Sequence, residues 1–242
     1  MPSHTLSAEE YEDASPWITD ILWLRNHYRS QLPLGHLADF PATGNMLEML
    51  WNKLAEVVQA LAERCSSPEG IVSHDRPEER TTPTFFKVGQ NLFSERGPFA
   101  TMTVTIKWHF IVRHWFDENY LYSSSKAEKY EAVKGTTYFT QVAWARSYVV
   151  GCYFTYNFVH PNVQEANDPN EGVFRTFIYV LNYAPAGNVI EQDLNWPGPP
   201  CSHCPEGTVQ PDDGSLQGHR CRAGRGQDHD DDRDEGADNH RT

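Results

Sequence analysis

Eleven histidines and five cysteines supply the side chains best able to hold a metal ion or carry a nucleophilic reaction. The tightest grouping is Cys201-Ser202-His203-Cys204. Thiolates and an imidazole at that spacing make half of a zinc site. Only His219 and Cys221 follow it, so the spacing favours a disulfide-bearing hinge over zinc. His109 and His114 are five residues apart, which separates them around a helix, and no His-Glu-x-x-His pattern is present. Acyl transfer would need an activated nucleophile, yet there is no Gly-x-Ser-x-Gly elbow. Cys152 lies among apolar strand neighbours, where a thiol is inert core. No catalytic constellation stands out, and no enzyme and no cofactor are expected.

Length and composition narrow the class. The 242 residues are 39% hydrophobic and 12% aromatic, enough for one main folded domain with additions. A formal charge of −13 disfavours a nucleic-acid partner, which requires a basic face. No apolar run reaches the length of a membrane span. The first ten residues lack the apolar core of a signal peptide, which fits the mature form of a secreted chain. Five cysteines, three of them crowded at Cys201, Cys204 and Cys221, fit an oxidising compartment.

The elements that must position these groups follow from periodicity and punctuation. Ser15-Pro16 opens a helix, and Trp17, Ile21, Leu24 and Tyr28 mark its apolar face toward Pro33. Leu47, Leu50, Leu54, Val57 and Leu61 space a second helix closing at Cys65. Residues 66–84 form a polar surface loop. From Met102 to Tyr122 the pattern fits strand and helix equally. Phe139–Trp144, Val149–Phe158 and Val173–Tyr183 read as strands, the last two joined by a hairpin loop over 159–172. Their apolar residues fall on both faces, so the sheet must be covered on both. Residues 191–221 form a Pro/Cys-rich extension, and 222–242 is acidic and expected to be disordered.

Two segments resemble the patterns of the CAP superfamily of cysteine-rich secretory, venom allergen-like and pathogenesis-related proteins. These are Tyr138-Phe139-Thr140-Gln141-Val142-Ala143-Trp144-Ala145-Arg146-Ser147 and Ile178-Tyr179-Val180-Leu181-Asn182-Tyr183-Ala184-Pro185-Ala186-Gly187-Asn188. Weaker matches are Leu24–Arg29, Gly89-Gln90-Asn91-Leu92 and Trp115-Phe116-Asp117-Glu118, the last resolving the 102–122 ambiguity in favour of a helix. The resemblance is greatest to the helminth venom allergen-like proteins. It implies an α+β, three-layer α-β-α sandwich with a central antiparallel sheet, with the CAP domain over 16–190 and an N-terminal extension over 1–15.

The resemblance also implies a central cleft where two histidines and two acids can hold a divalent metal. The matching positions here are Arg25, Gln90, Glu118 and Tyr138, which are poor metal ligands apart from Glu118. No metal is expected there, and Arg25 is expected to pair with Glu118. The resemblance implies a secreted, non-enzymatic lipid binder, with modulation of a host as its expected role. A sterol would lie under the 119–137 loop near Tyr120, Tyr122 and Tyr130. A fatty acid would lie between the first helix and the Trp108–Trp115 helix. The alternative is a module that binds a host immune or extracellular-matrix protein. Leu181 stands at a family cysteine position, so the core cysteines Cys65 and Cys152 are expected to pair, and two of the three hinge cysteines to form another bond.

Overall fold

A computed structural model describes residues 15–51, 54, 73–98, 106–159, 174–210 and 220–223. Helix α1 spans Ser15–Ser30. Ile21, Leu24, Arg25 and Arg29 are buried along one side of it, the three-and-four spacing that places residues on one helix face. Helix α2, Trp108–Asp117, contributes Ile111, Val112 and Trp115 in the same rhythm. The short helix α3 spans Thr137–Ala143.

These helices lie on a four-stranded sheet in the order β1-β3-β4-β2, built from β1 (Leu50–Trp51), β2 (Gly89–Pro98), β3 (Val149–Val159) and β4 (Phe174–Ala184). Strand β4 is central and antiparallel to both β2 and β3. Cys152 faces Leu181 and Val150 faces Tyr183 across the β3–β4 register. This face, with Phe154, Phe177 and Tyr179, packs on Ile21, Leu24, Trp115, Phe139 and Val142. The opposite face is also sealed: Ile178 and Val180 are fully buried, and Val149 and Ala184 pack with Leu54 and Val88. The two-sided apolar pattern therefore reports a covered sheet, as expected. Among the described residues no helix is long and apolar enough to cross a membrane.

Four expectations change. The sheet is mixed rather than purely antiparallel, because β1 runs parallel to β3. Residues 47–51 are extended, not the start of a helix: Leu47 and Met49 are buried while Leu50 is exposed, a period of two that the leucine spacing concealed. Residues 139–143 belong to helix α3, and all five are buried, so no polar face was available to reveal a helical period. Strand β2 was not anticipated, since Ser94, Glu95 and Arg96 on a half-exposed edge masked its alternation. The 55–65 part of the second helix, Cys65, the 159–172 loop beyond Val159 and the tail beyond Ala223 lie outside the described residues.

Arg29 ties the layers together. Its guanidinium donates to the carbonyls of Val142, Trp144, Ala145, Ser147 and Leu47 at 2.7–3.2 Å. Burial, then repulsion from Arg25, lowers its pKa to about 9, which leaves it charged at neutral pH. One side chain thus fixes the α3–β3 turn and the strand leading to β1. After β4 the chain folds back on residues 42–48: Gly44 N–H donates to Trp196, Gly198 to Ala42 and His203 to Gly44. A small ribbon of β5 (Thr208–Val209) and β6 (Arg222–Ala223) follows, closed by a Cys204–Cys221 disulfide. Two hinge cysteines pair as expected, and the start of the tail, Arg222 and Ala223, is strand.

Candidate functional site

The start of β2, the end of α2 and the start of α3 converge on one polar cleft. Gln90 sits at the second position of β2 and is buried. Its Nε2 donates to Asn182 Oδ1 at 3.0 Å, and its Oε1 lies 2.8 Å from His74 Nδ1. With the amide oxygen accepting, His74 donates from Nδ1. The His74 ring lies 6.1 Å from that of Tyr138, and Trp115 meets Tyr138 at 6.0 Å. The Trp115 indole is held by a 3.1 Å hydrogen bond from Nε1 to Leu92 O.

Glu118 follows α2 directly, and its Oε2 accepts the N–H groups of Tyr138 and Phe139 at 2.9 and 3.0 Å. It therefore caps α3, where unpaired N–H groups and the helix dipole favour a carboxylate. Burial raises its pKa, and the two backbone hydrogen bonds only partly oppose this. Burial, followed by the Glu118 charge, raises Tyr138. Asp75, beside His74, pairs with Arg80 at 3.2 Å. Burial raises Asp75 and the Arg80 charge opposes it.

A divalent ion would find a poor donor set here. Gln90 is a neutral amide engaged at both ends, Tyr138 keeps its proton, and one Glu118 oxygen is committed to two N–H groups. The two remaining donors, His74 Nε2 and the other Glu118 oxygen, do not make the four ligands that such an ion takes. These residues do not fit a metal bound by all four cleft positions.

Of the four positions assigned from sequence, Gln90, Glu118 and Tyr138 come together and Arg25 does not. Arg25 shares the buried face of α1 with Ile21 and Arg29, with its guanidinium carbon 4.6 Å above the Tyr183 ring. Its three nitrogens have no hydrogen-bond partner among the described residues, and the expected Arg25–Glu118 ion pair is not among their salt bridges. The helical repeat turns Arg25 onto the sheet, whereas Glu118 turns toward α3. His74 fills the fourth place. Sequence reasoning missed it because it lies in a polar, aperiodic loop, and only its position ahead of Gly89-Gln90-Asn91-Leu92 marked it out.

The residues proposed for lipid contact separate. Trp108, Trp115, Tyr122 and Tyr130 are buried in the main core. Tyr122 stacks on Tyr130 at 6.3 Å and donates its hydroxyl to Lys126 O at 2.8 Å. Tyr120 is 84% exposed and its neighbour Leu121 67%. They border a cavity of about 550 Å³ whose other wall is the His36–Asp39 turn. Between α1 and α2, Tyr28 and Phe116 meet at 4.9 Å and close the described interface. On the outer side Trp23 and Phe110 are each 55% exposed, Trp23 stacked on His27 and Phe110 on His114.

Comparison with known proteins places this architecture. No family model matches the chain. It is 32% identical over 198 residues to Venom allergen 5 of Tityus serrulatus, covering 78% of this chain but 42% of that protein. It is 31% identical over 204 residues to cysteine-rich secretory protein 3 of Homo sapiens, covering 81% of this chain and 71% of that protein. Among solved structures, the crystal structure of NaASP2 with Zn2+ superposes with a TM-score of 0.59 at 21% identity, over 91% of this chain and 98% of that one. That likeness concerns the fold alone.

Proposed function

We propose that this chain, which belongs to the CAP superfamily of cysteine-rich secretory and venom allergen proteins, is an extracellular, non-enzymatic binder of a neutral lipid of sterol type. The observation that carries the reading is the cavity of about 550 Å³ beside Tyr120 and Leu121, within the size range of small-molecule sites. Its wall combines apolar groups (half-buried Leu37 and exposed Ala38, Tyr120 and Leu121) with a polar lip of His36, Asp39, Asn119 and Ser123. It contains no lysine or arginine. A fatty-acid carboxylate would therefore meet Asp39 without a cation, whereas a single hydroxyl on a compact apolar body suits the lip. The absence of enzyme chemistry is argued from the cleft: Glu118 is engaged as a helix cap, and burial pushes the Cys152 thiol well above its ordinary range.

The test is sterol binding by the purified chain and its Leu121→Ser variant. Leu121 is 67% exposed, so covering it with a ligand contributes on the order of 1–2 kcal/mol. Loss of that contact weakens binding roughly tenfold. Tyr122 is unsuitable for this purpose, because Tyr122→Ser opens the core. Absence of sterol binding by the unmodified protein would transfer the lead to a second reading, a protein-interaction module. That reading is supported by the paired Trp23/His27 and Phe110/His114 surface of α1 and α2, and Trp23→Ser would then abolish partner capture.

A further inference from the structure

The Cys201-Ser202-His203-Cys204 motif lacked the second half of a metal site in sequence, and the fold supplies it. The Sγ atoms of Cys201, Cys204 and Cys221 all lie within 4.8 Å of one another. A tetrahedral zinc ion with bonds of about 2.3 Å sets its sulfurs about 3.8 Å apart, inside that span. We propose that the reduced chain uses these three sulfurs as a binding site for a soft divalent metal, with zinc the best-suited ion, and that disulfide and metal site are alternative states of one cluster. This inference is independent of the lipid-binding reading.

Backbone contacts hold the cysteines in place. Cys221 is clamped to the 46–48 segment by its N–H to Met46 O at 2.8 Å and by Glu48 N–H to its carbonyl at 3.0 Å. The other side of the cluster is fixed by Gly198 N–H to Ala42 O at 2.8 Å and His203 N–H to Gly44 O at 2.9 Å. Gly44 admits this approach because a Cβ there would fall 2.3 Å from Ser202 Oγ and 2.7 Å from His203 Nδ1. None of these contacts passes through the disulfide, so its cleavage leaves the sulfurs facing one another. A phosphine and one water convert the Cys204–Cys221 bond to two thiols, the phosphine giving two electrons and becoming its oxide with the water oxygen while the water gives the two protons; a dithiol gives both electrons and protons and closes to its own disulfide. Binding then releases three protons, one from each cysteine, to give a zinc tris-thiolate with one net negative charge. Arg220, next to Cys221 in the chain, is buried and held by Glu48 at 3.5 Å and by its bond to Asn26 O at 2.6 Å. The fourth coordination position is left to water or an added ligand.

Cobalt(II) is the spectroscopic probe. The full-length chain, reduced anaerobically with a phosphine, is expected to take up one cobalt ion, showing a thiolate-to-cobalt charge-transfer band and the intense visible bands of a four-coordinate ion, both abolished by zinc. The oxidised chain should show no charge-transfer band. Cys201→Ser retains the disulfide and so folds under oxidising conditions. After reduction it should lose about a third of the charge-transfer intensity and bind more than about tenfold more weakly, whereas Cys65→Ser should behave as the parent. A reduced parent without the band, or a Cys201→Ser variant with undiminished intensity and affinity, would overturn the proposal.

Discussion

The cap at Glu118 offers the most direct test of how the cleft is held. Replacing Glu118 by alanine strips the Tyr138 and Phe139 N–H groups of their acceptor. Phe139 is fully buried and Tyr138 half-buried, so water can replace the acceptor for only one of them. A buried, unsatisfied N–H costs about 1–3 kcal/mol, and loss of a helix cap about 0.5–2. Glu118→Ala should therefore lower the unfolding free energy by about 2 kcal/mol. Glu118→Gln retains an oxygen at the same place and should cost less than about half as much, since only the charge assistance is lost.

The pH dependence separates charge from geometry. Burial raises the folded-state pKa of Glu118 above its ordinary value despite the two N–H donors and His114. A raised carboxyl contributes stability that is fully present below the unfolded-state pKa and lost as pH rises through the folded one. The parent should therefore gain on Glu118→Gln as pH falls from neutral to around pH 4, the ordinary glutamate range. Urea unfolding of the pair at both values cancels the other carboxylates. Equal losses for Ala and Gln at neutral pH would refute the hydrogen-bond account. A gap that moves the opposite way with pH would show that the N–H groups outweigh burial.

Three further substitutions probe the scaffold. Arg29→Met removes a donor from five carbonyls and should cost about 3–5 kcal/mol, whereas Arg25→Met removes a buried charge with no hydrogen-bond partner among the described residues and should be neutral or stabilising by about 1–3 kcal/mol; chemical denaturation of both variants checks the contrast. Gly187→Ala would place a Cβ 2.8 Å from Trp144 and 2.9 Å from Gln141, straining the 3.0 Å Gly187 N–H to Gln141 Oε1 bond; a loss of about 1–3 kcal/mol in the same assay is expected.

Much of the frame was legible because its signals are local. The face of α1, the α2 repeat and the long β3 and β4 strands each carry their period within one segment. The α3 and β1 regions were misread because tertiary burial erased the period or imposed another. In α3 the residues pack on every side, and in β1 the leucine spacing imitates a helix. The cleft was legible only in part for a related reason. Gln90, Glu118 and Tyr138 lie in recognisable segments, but His74 joins them through one hydrogen bond across a loop of no periodicity. The assignment of Arg25 failed on helix phase: Arg25 and Arg29 share a face one turn apart, and that face is against the sheet.

The polar groups of the cleft and those beside the cavity differ in the reach of their hydrogen bonds. Gln90 spends its amide bridging His74 to Asn182, and Glu118 spends a carboxylate oxygen on α3. Each polar group in the cleft thereby closes an internal contact between β2, β4, α2 and α3. The groups around Tyr120 and Leu121 close none of comparable reach: Tyr120 is 84% exposed, and the Asn119 amide turns back to Phe116 O within its own chain turn at 2.7 Å. Apolar surface left uncovered beside polar groups that bond only locally is the arrangement that a bound ligand completes at least cost to the fold. The proposed recognition at the 119–123 rim would therefore leave the cleft contacts of Gln90, Glu118 and His74 undisturbed.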